Sequence, residues 1–173
     1  MKNTLLLSVI MVLSFFGLQA QNEETANYYN EVQQYSLIYP SFWEVEEDEE
    51  NETTTLYVPL KKDENIYKQL QISVARWEDG DLDEFLEQTF SESEMTNLYP
   101  DITILDLGED ETKENQNHCF EMSYMMGEEK VTVLYYLEKK EDLIYLILAS
   151  SPQSEYATYK KQYLRIIDSL RIR

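Results

Sequence analysis

Two neighbouring segments constrain the fold of this 173-residue chain more than any other feature. Residues 129–139 set Val131, Val133, Tyr135 and Leu137 against Leu134 and Tyr136 in alternation. Residues 142–150 repeat the pattern, with Leu143, Tyr145 and Ile147 alternating with Ile144, Leu146 and Leu148. Successive side chains of a strand point to opposite faces. Both faces of these two strands are therefore apolar, and both must be covered. A sandwich or barrel strand would normally turn one polar face to water, so the pattern predicts a sheet lying between two helical layers. The links Gly127-Glu128 and Lys140-Glu141 are short enough to make 118–126, 129–139 and 142–150 antiparallel neighbours.

The remaining elements fit the same scheme. Strands are expected at 35–39, stopped by Pro40, at 42–45, at 54–58, ending before Pro59, and at about 102–107. Leu70, Ile72 and Val74 alternate with Gln71, Ser73 and Ala75, as in a half-buried strand. The period then changes to that of a helix over 81–94, with Leu82, Phe85, Leu86, Thr89 and Phe90 on one stripe. Asp81 is placed to cap it, and Asp83 and Glu84 suit its first turn. A second helix is expected over 152–170, capped by Ser151 with Pro152 first and with Tyr156, Tyr159, Tyr163, Ile166, Ile167 and Leu170 on its apolar stripe. The fold class is α+β: an antiparallel sheet of about six to seven strands with helices on both faces. Residues 21–34 read as a linker or a short frayed helix, and the polar stretches 44–52 and 108–117 as loops between apolar segments.

The start of the chain gives an address. Lys2, the apolar run Leu5–Leu18 and the small residue Ala20, followed by Gln21-Asn22-Glu23-Glu24, match a cleaved secretory signal over 1–20. A spanning helix needs about 20 apolar residues, and no basic stop-transfer cluster follows. The only cysteine, Cys119, is far from the cut, so lipid anchoring there is excluded. The expected location is secreted or periplasmic, with no membrane insertion after cleavage. The remaining 153 residues, 21–173, suit a single domain over 35–173.

Charge narrows the partners. The chain has 14 basic and 34 acidic residues, a net charge of −20. Residues 1–20 hold one lysine and no acid, so removing them leaves 13 basic and 34 acidic residues, a net −21. Nucleic acids and anionic membranes are held through Lys and Arg, and both should be repelled. A charge this large keeps a protein soluble, which is the preferred reading, and could also attract cations weakly or basic partners.

No motif assembles a catalytic centre. His118 and Cys119 are adjacent in a strand, which turns their side chains to opposite faces and prevents a Cys–His pair. His118 is the only histidine, so a zinc cluster built on several histidines is excluded, and no Gly-x-Ser-x-Gly elbow accompanies it. Asp79-Gly80-Asp81-Leu82-Asp83 begins like a calcium loop, but Glu84 and Phe90 stand where that loop requires Gly and Glu. A turn and a helix cap explain these residues without metal. The acidic run Glu44–Glu52 lacks the preorganisation that calcium demands. Asn51-Glu52-Thr53 matches a glycosylation sequon. The fourteen Tyr and two Trp fall mostly at core-periodic positions. The sequence therefore nominates no catalytic, cofactor-binding or metal-binding residue and no cofactor.

The order of elements resembles the PsbP-like (Mog-type) domain family. Its aromatic-rich opening is matched by Tyr35-Ser36-Leu37-Ile38-Tyr39-Pro40-Ser41-Phe42-Trp43. Its central strand and Leu-x-x-Phe helix are matched by Ile72-Ser73-Val74 and Leu82-Asp83-Glu84-Phe85. Its closing helix is matched by Tyr159 through Ile166-Ile167-Asp168-Ser169-Leu170-Arg171. The resemblance spans about 35–171 and implies an antiparallel sheet between helices. It implies no single function, since members range from a photosystem subunit to a Ran-binding protein and bacterial exported proteins, and none is a typical enzyme. The matched motifs are core positions, so no functional residue carries over. The expectation is an exported, non-catalytic binding or accessory module acting through a protein partner. The alternative is a periplasmic binder of a small ligand or divalent cation.

Overall fold

A computed structural model describes residues 24–62, 64–78, 80–91, 95–96, 98–99, 101–108 and 116–173. The signal segment 1–20, Asp79, residues 92–94 of the expected first helix and residues 109–115 of the second polar stretch lie outside the described residues.

The strands are β1 (Thr25–Asn30), β2 (Tyr35–Pro40), β3 (Glu44–Asp48), β4 (Thr53–Val58), β5 (Lys68–Arg76), β6 (Thr103–Gly108), β7 (Gln116–Met126), β8 (Glu129–Lys140), β9 (Leu143–Pro152) and β10 (Arg171–Ile172). The helices are α1 (Leu82–Thr89), between β5 and β6, and α2 (Gln153–Asp168), between β9 and β10. Seven strands form one antiparallel sheet in the order β3-β4-β5-β9-β8-β7-β6. Two meanders compose it. Short connections build β3-β4-β5 and β6-β7-β8-β9 locally, and the β5–β9 pairing joins them across the segment that carries α1. Gly127 and Glu141 open the two-residue links at φ 66° and 55°, the left-handed conformation such tight turns use.

The strands that are apolar on both faces occupy the middle of this sheet. Their alternating residues divide between two buried clusters. Leu134, Tyr136, Tyr145, Ile147 and Ala149 join the first, together with Tyr156, Tyr163, Ile166 and Ile167 of α2. Val131, Val133, Tyr135, Leu137 and Ile144 join the second, together with Leu82 and Phe85 of α1.

Four expectations need correction. Residues 24–34 are neither linker nor helix, 21–23 lying outside the described residues: Thr25–Asn30 forms β1, paired along its length with β2. The pattern in β1 is polar-alternating and short, so its strand state comes from its partner. The expected first strand, 35–39, does not enter the main sheet. It forms a separate three-stranded sheet, β1-β2-β10, whose Tyr35 and Leu37 close the first cluster. The acidic run is a strand as well as a loop, because Glu44–Asp48 is an edge strand, β3. Charge on an edge strand discourages further pairing. Finally, Ser151 does not cap α2. Residues 151 and 152 still pair with β8, and the helix starts at Gln153 with Pro152 at the cap position. The ladder with Thr132 and Val131 holds Ser151 extended.

Ser169 splices α2 to the small sheet. Its hydroxyl accepts from Ile38 N at 2.8 Å and donates to Ile166 O at 2.6 Å, just before Arg171 and Ile172 pair with Ser36 and Tyr35.

Candidate functional site

The α1 segment behaves as its sequence requires. Asp81 Oδ1 accepts from Glu84 N at 3.0 Å, and Asp83 and Glu84 occupy the first turn. The cap packs tightly: a Cβ on Gly80 would stand 2.7 Å from Trp77 Nε1, so only glycine fits there. Lys139 Nζ donates to the Gly80 carbonyl, tying the turn to β8. Trp77 then meets Phe85 edge to face at 5.3 Å.

Beside this helix lies an open groove of about 700 Å³ between α1 and β6–β7. Phe120 and Met122 form its floor, with Leu86 and Phe90 on the helix side. The floor is rigid. Phe120 stacks on Tyr135 at 4.7 Å with rings 4° from parallel, and Phe90 meets both edge to face at 5.4 and 5.3 Å. Asp83 and Glu87, exposed and one helical turn apart, border it with carboxylates. Ile104 and His118 line the strand side.

The residues weighed from sequence are dispersed. His118 lines the groove, its ring 5.9 Å from Phe120, whereas Cys119 packs half-buried against the other cluster. The alternation expected of strand neighbours separates them. Of the acidic run, Glu47 accepts from Tyr28 Oη at 2.8 Å and Glu44 from Tyr57 Oη at 3.0 Å. Asp48 accepts from Asn51 Nδ2 at 2.6 Å and from the amides of Glu50 and Asn51, which hold its carboxyl below the usual range. The Tyr57 and Asp48 contacts lie within the β3–β4 hairpin, the Tyr28 contact ties β3 to β1, and the sequon residue Asn51 is exposed in the hairpin turn. Among the described residues, no three or more His, Cys, Asp or Glu side chains are grouped to hold a metal ion. No helix among them is long and apolar enough to cross a membrane.

Sequence reasoning missed the groove. Its residues come from α1, β6 and β7, which only the folded sheet brings together. The available signal was the carboxylate pair Asp83 and Glu87 at i, i+4 beside an apolar stripe.

The contacts between α2 and the main sheet carry charge of a different kind. Lys68, 1% exposed, sits 2.7 Å from Glu64 and 3.5 Å from Glu155. Burial opposes the charge on its amine, but the hydrogen bond that it donates to Glu64 and the nearby carboxylates outweigh it and raise the Lys68 pKa. Glu121 Oε1 accepts from Tyr156 Oη at 2.7 Å and lies 2.6 Å from Lys160 Nζ. Burial and that carboxylate push the Tyr156 phenol up. These two clamps fasten α2 to β5 and β7.

No protein-family model matches the chain, and no curated protein matches it. Solved structures do. The solution structure of cyanobacterial PsbP from Synechocystis superposes with a TM-score of 0.62 at 11% identity, covering 90% of this chain and 96% of that one. LpqN of Mycobacterium tuberculosis, described as involved in cell envelope biogenesis, gives 0.57 at 15% identity over 86% and 90% of the two chains. A protein from Bacteroides thetaiotaomicron gives 0.56 at 14% identity, covering 85% of this chain and 48% of its own. The two antiparallel sheets and two helices of this chain form a PsbP-like α+β fold.

Proposed function

We propose that this chain is an exported, non-catalytic accessory module that works by binding a protein partner in the groove beside α1. The groove itself carries the reading: a preformed aromatic floor stands open next to an exposed carboxylate pair, while the other apolar cluster is closed over by α2 and β2. Apolar concavity with a few placed polar groups is the usual form of a recognition site. The layered arrangement, with α1 and α2 on opposite faces of the main sheet, belongs to this reading, as do export and cleavage of 1–20. The PsbP-like neighbours support an accessory role by analogy of fold. The alternative of a small-ligand binder draws on the same concavity, whereas for a divalent cation no three or more His, Cys, Asp or Glu side chains are grouped among the described residues.

Site-specific photo-cross-linking tests the proposal. A benzoylphenylalanine is placed at Phe90 in the groove or at Lys161 on the exposed side of α2, in the producing cell. A discrete adduct from position 90 and none from 161 is the expected result. Equal adducts from both positions, or none from position 90, would refute groove binding.

A further inference from the structure

We infer that the groove takes a cationic amphipathic segment, with apolar side chains on Phe90, Phe120 and Met122 and a Lys or Arg between Asp83 and Glu87. This rests on the binding reading above and names its partner class. The first argument is charge complementarity within the groove. Helix α1 holds Asp83, Glu84 and Glu87 and no basic residue. Like charges at i, i+4 destabilise a helix. Glu87 also stands two residues from the C-terminal end, where the helix dipole disfavours an anion. A cation seated between Asp83 and Glu87 relieves both penalties, so binding and helix stability are coupled. The second argument is the charge of the whole chain. At −20 it opposes association with a second copy of itself or with anionic lipid, and it accelerates encounter with a basic partner.

Three synthetic helical peptides serve as probes, measured by fluorescence anisotropy at low and high salt. One carries Leu and Lys on adjoining faces, one replaces Lys with Glu, and one replaces Leu with Ser. The Leu/Lys peptide should bind the purified protein, and the other two at least tenfold more weakly. The variant Asp83→Asn with Glu87→Gln should weaken Leu/Lys binding at least tenfold while leaving the melting temperature within about 1 °C, since relief of the i, i+4 repulsion is offset by loss of the Asp83 charge from the first turn. The control Glu46→Gln with Glu50→Gln, on β3 and its turn, should leave affinity within twofold. If the control weakens binding as much as the groove variant, attraction is to acidic surface in general and the inference fails. If the groove variant binds the Leu/Lys peptide unchanged, the cationic class fails, while the position-90 cross-link decides independently whether the groove binds a protein at all.

Discussion

The two apolar clusters are built to opposite specifications. The first is closed by α2 and β2 and fixed by polar clamps. Tyr163 is fully buried and donates to Ser150 O at 2.6 Å, Trp43 meets its ring edge to face at 6.0 Å, and Lys68 and Glu121 tie the helix at two points. The second is capped by an eight-residue helix and ends in an open groove whose border carboxylates repel each other. In the closed cluster Tyr163, Tyr156 and Lys68 find polar partners within the fold, Trp43 Nε1 being buried without one, whereas the open cluster leaves exposed charge beside aromatic rings. Their difference separates a side of the molecule sealed by a long helix from a side that leaves an apolar groove open.

The largest test of this contrast is aromatic truncation. Tyr163→Ala should cost about 4 kcal/mol, as removal of a buried ring does, whereas Phe90→Ala, at a half-buried position, should cost about half as much or less. Chemical denaturation reads both, and equal losses would erase the distinction.

Lys68 sharpens it next. Lys68→Ala should cost about 2 kcal/mol, because it strands Glu64 and Glu155 at the edge of a packed site, while a Met variant that replaces all three charged residues, Lys68→Met with Glu64→Met and Glu155→Met, should be nearly neutral. A large loss from the Met variant would mean that the ion pair itself holds α2.

Alkali should attack the closed cluster. Burial raises the pKa of Tyr35, Tyr156 and Tyr163 above the ordinary 10.0. A raised folded-state value means that the folded protein holds the proton more tightly than the unfolded chain does. The stabilisation is therefore complete below about pH 10 and falls as pH rises toward the folded values. Lys68, raised from 10.5, loses its contribution in the same direction and range. Tyrosinate absorbance should accordingly rise in one cooperative step coincident with loss of secondary structure. A gradual rise ahead of unfolding would show that these phenols are accessible.

The smallest expected effect is at the splice. Ser169→Ala removes the hydroxyl that joins β2 to the end of α2 and should cost about 1 kcal/mol. A melting temperature equal to that of the parent would show that β10 pairing alone suffices.

Much of the architecture was legible in local patterns. The alternation in β8 and β9 announced two covered faces, and the Asp81 cap and the Tyr156–Leu170 stripe located both helices. Short two-residue links set the β7-β8-β9 meander. What local patterns could not give is pairing at long range. β1 has too few apolar residues to declare itself and takes its state from β2 across a short turn, and β2 reads like any strand of the main sheet but pairs with β10 at the other end of the domain. The groove was hidden for the same reason, since Phe90, Ile104 and Phe120 meet only after β6 and β7 pair and α1 folds over them.

The sequence by itself determined the periodicities, the Asp81 cap, the acidic charge and the absence of a local catalytic motif, because each depends on composition or on residues within a turn or a strand of one another. The tertiary structure alone decided which strands share a sheet, which apolar cluster is closed and where carboxylates stand beside an open aromatic floor. Those are contacts between distant segments, fixed by which surfaces lose water together.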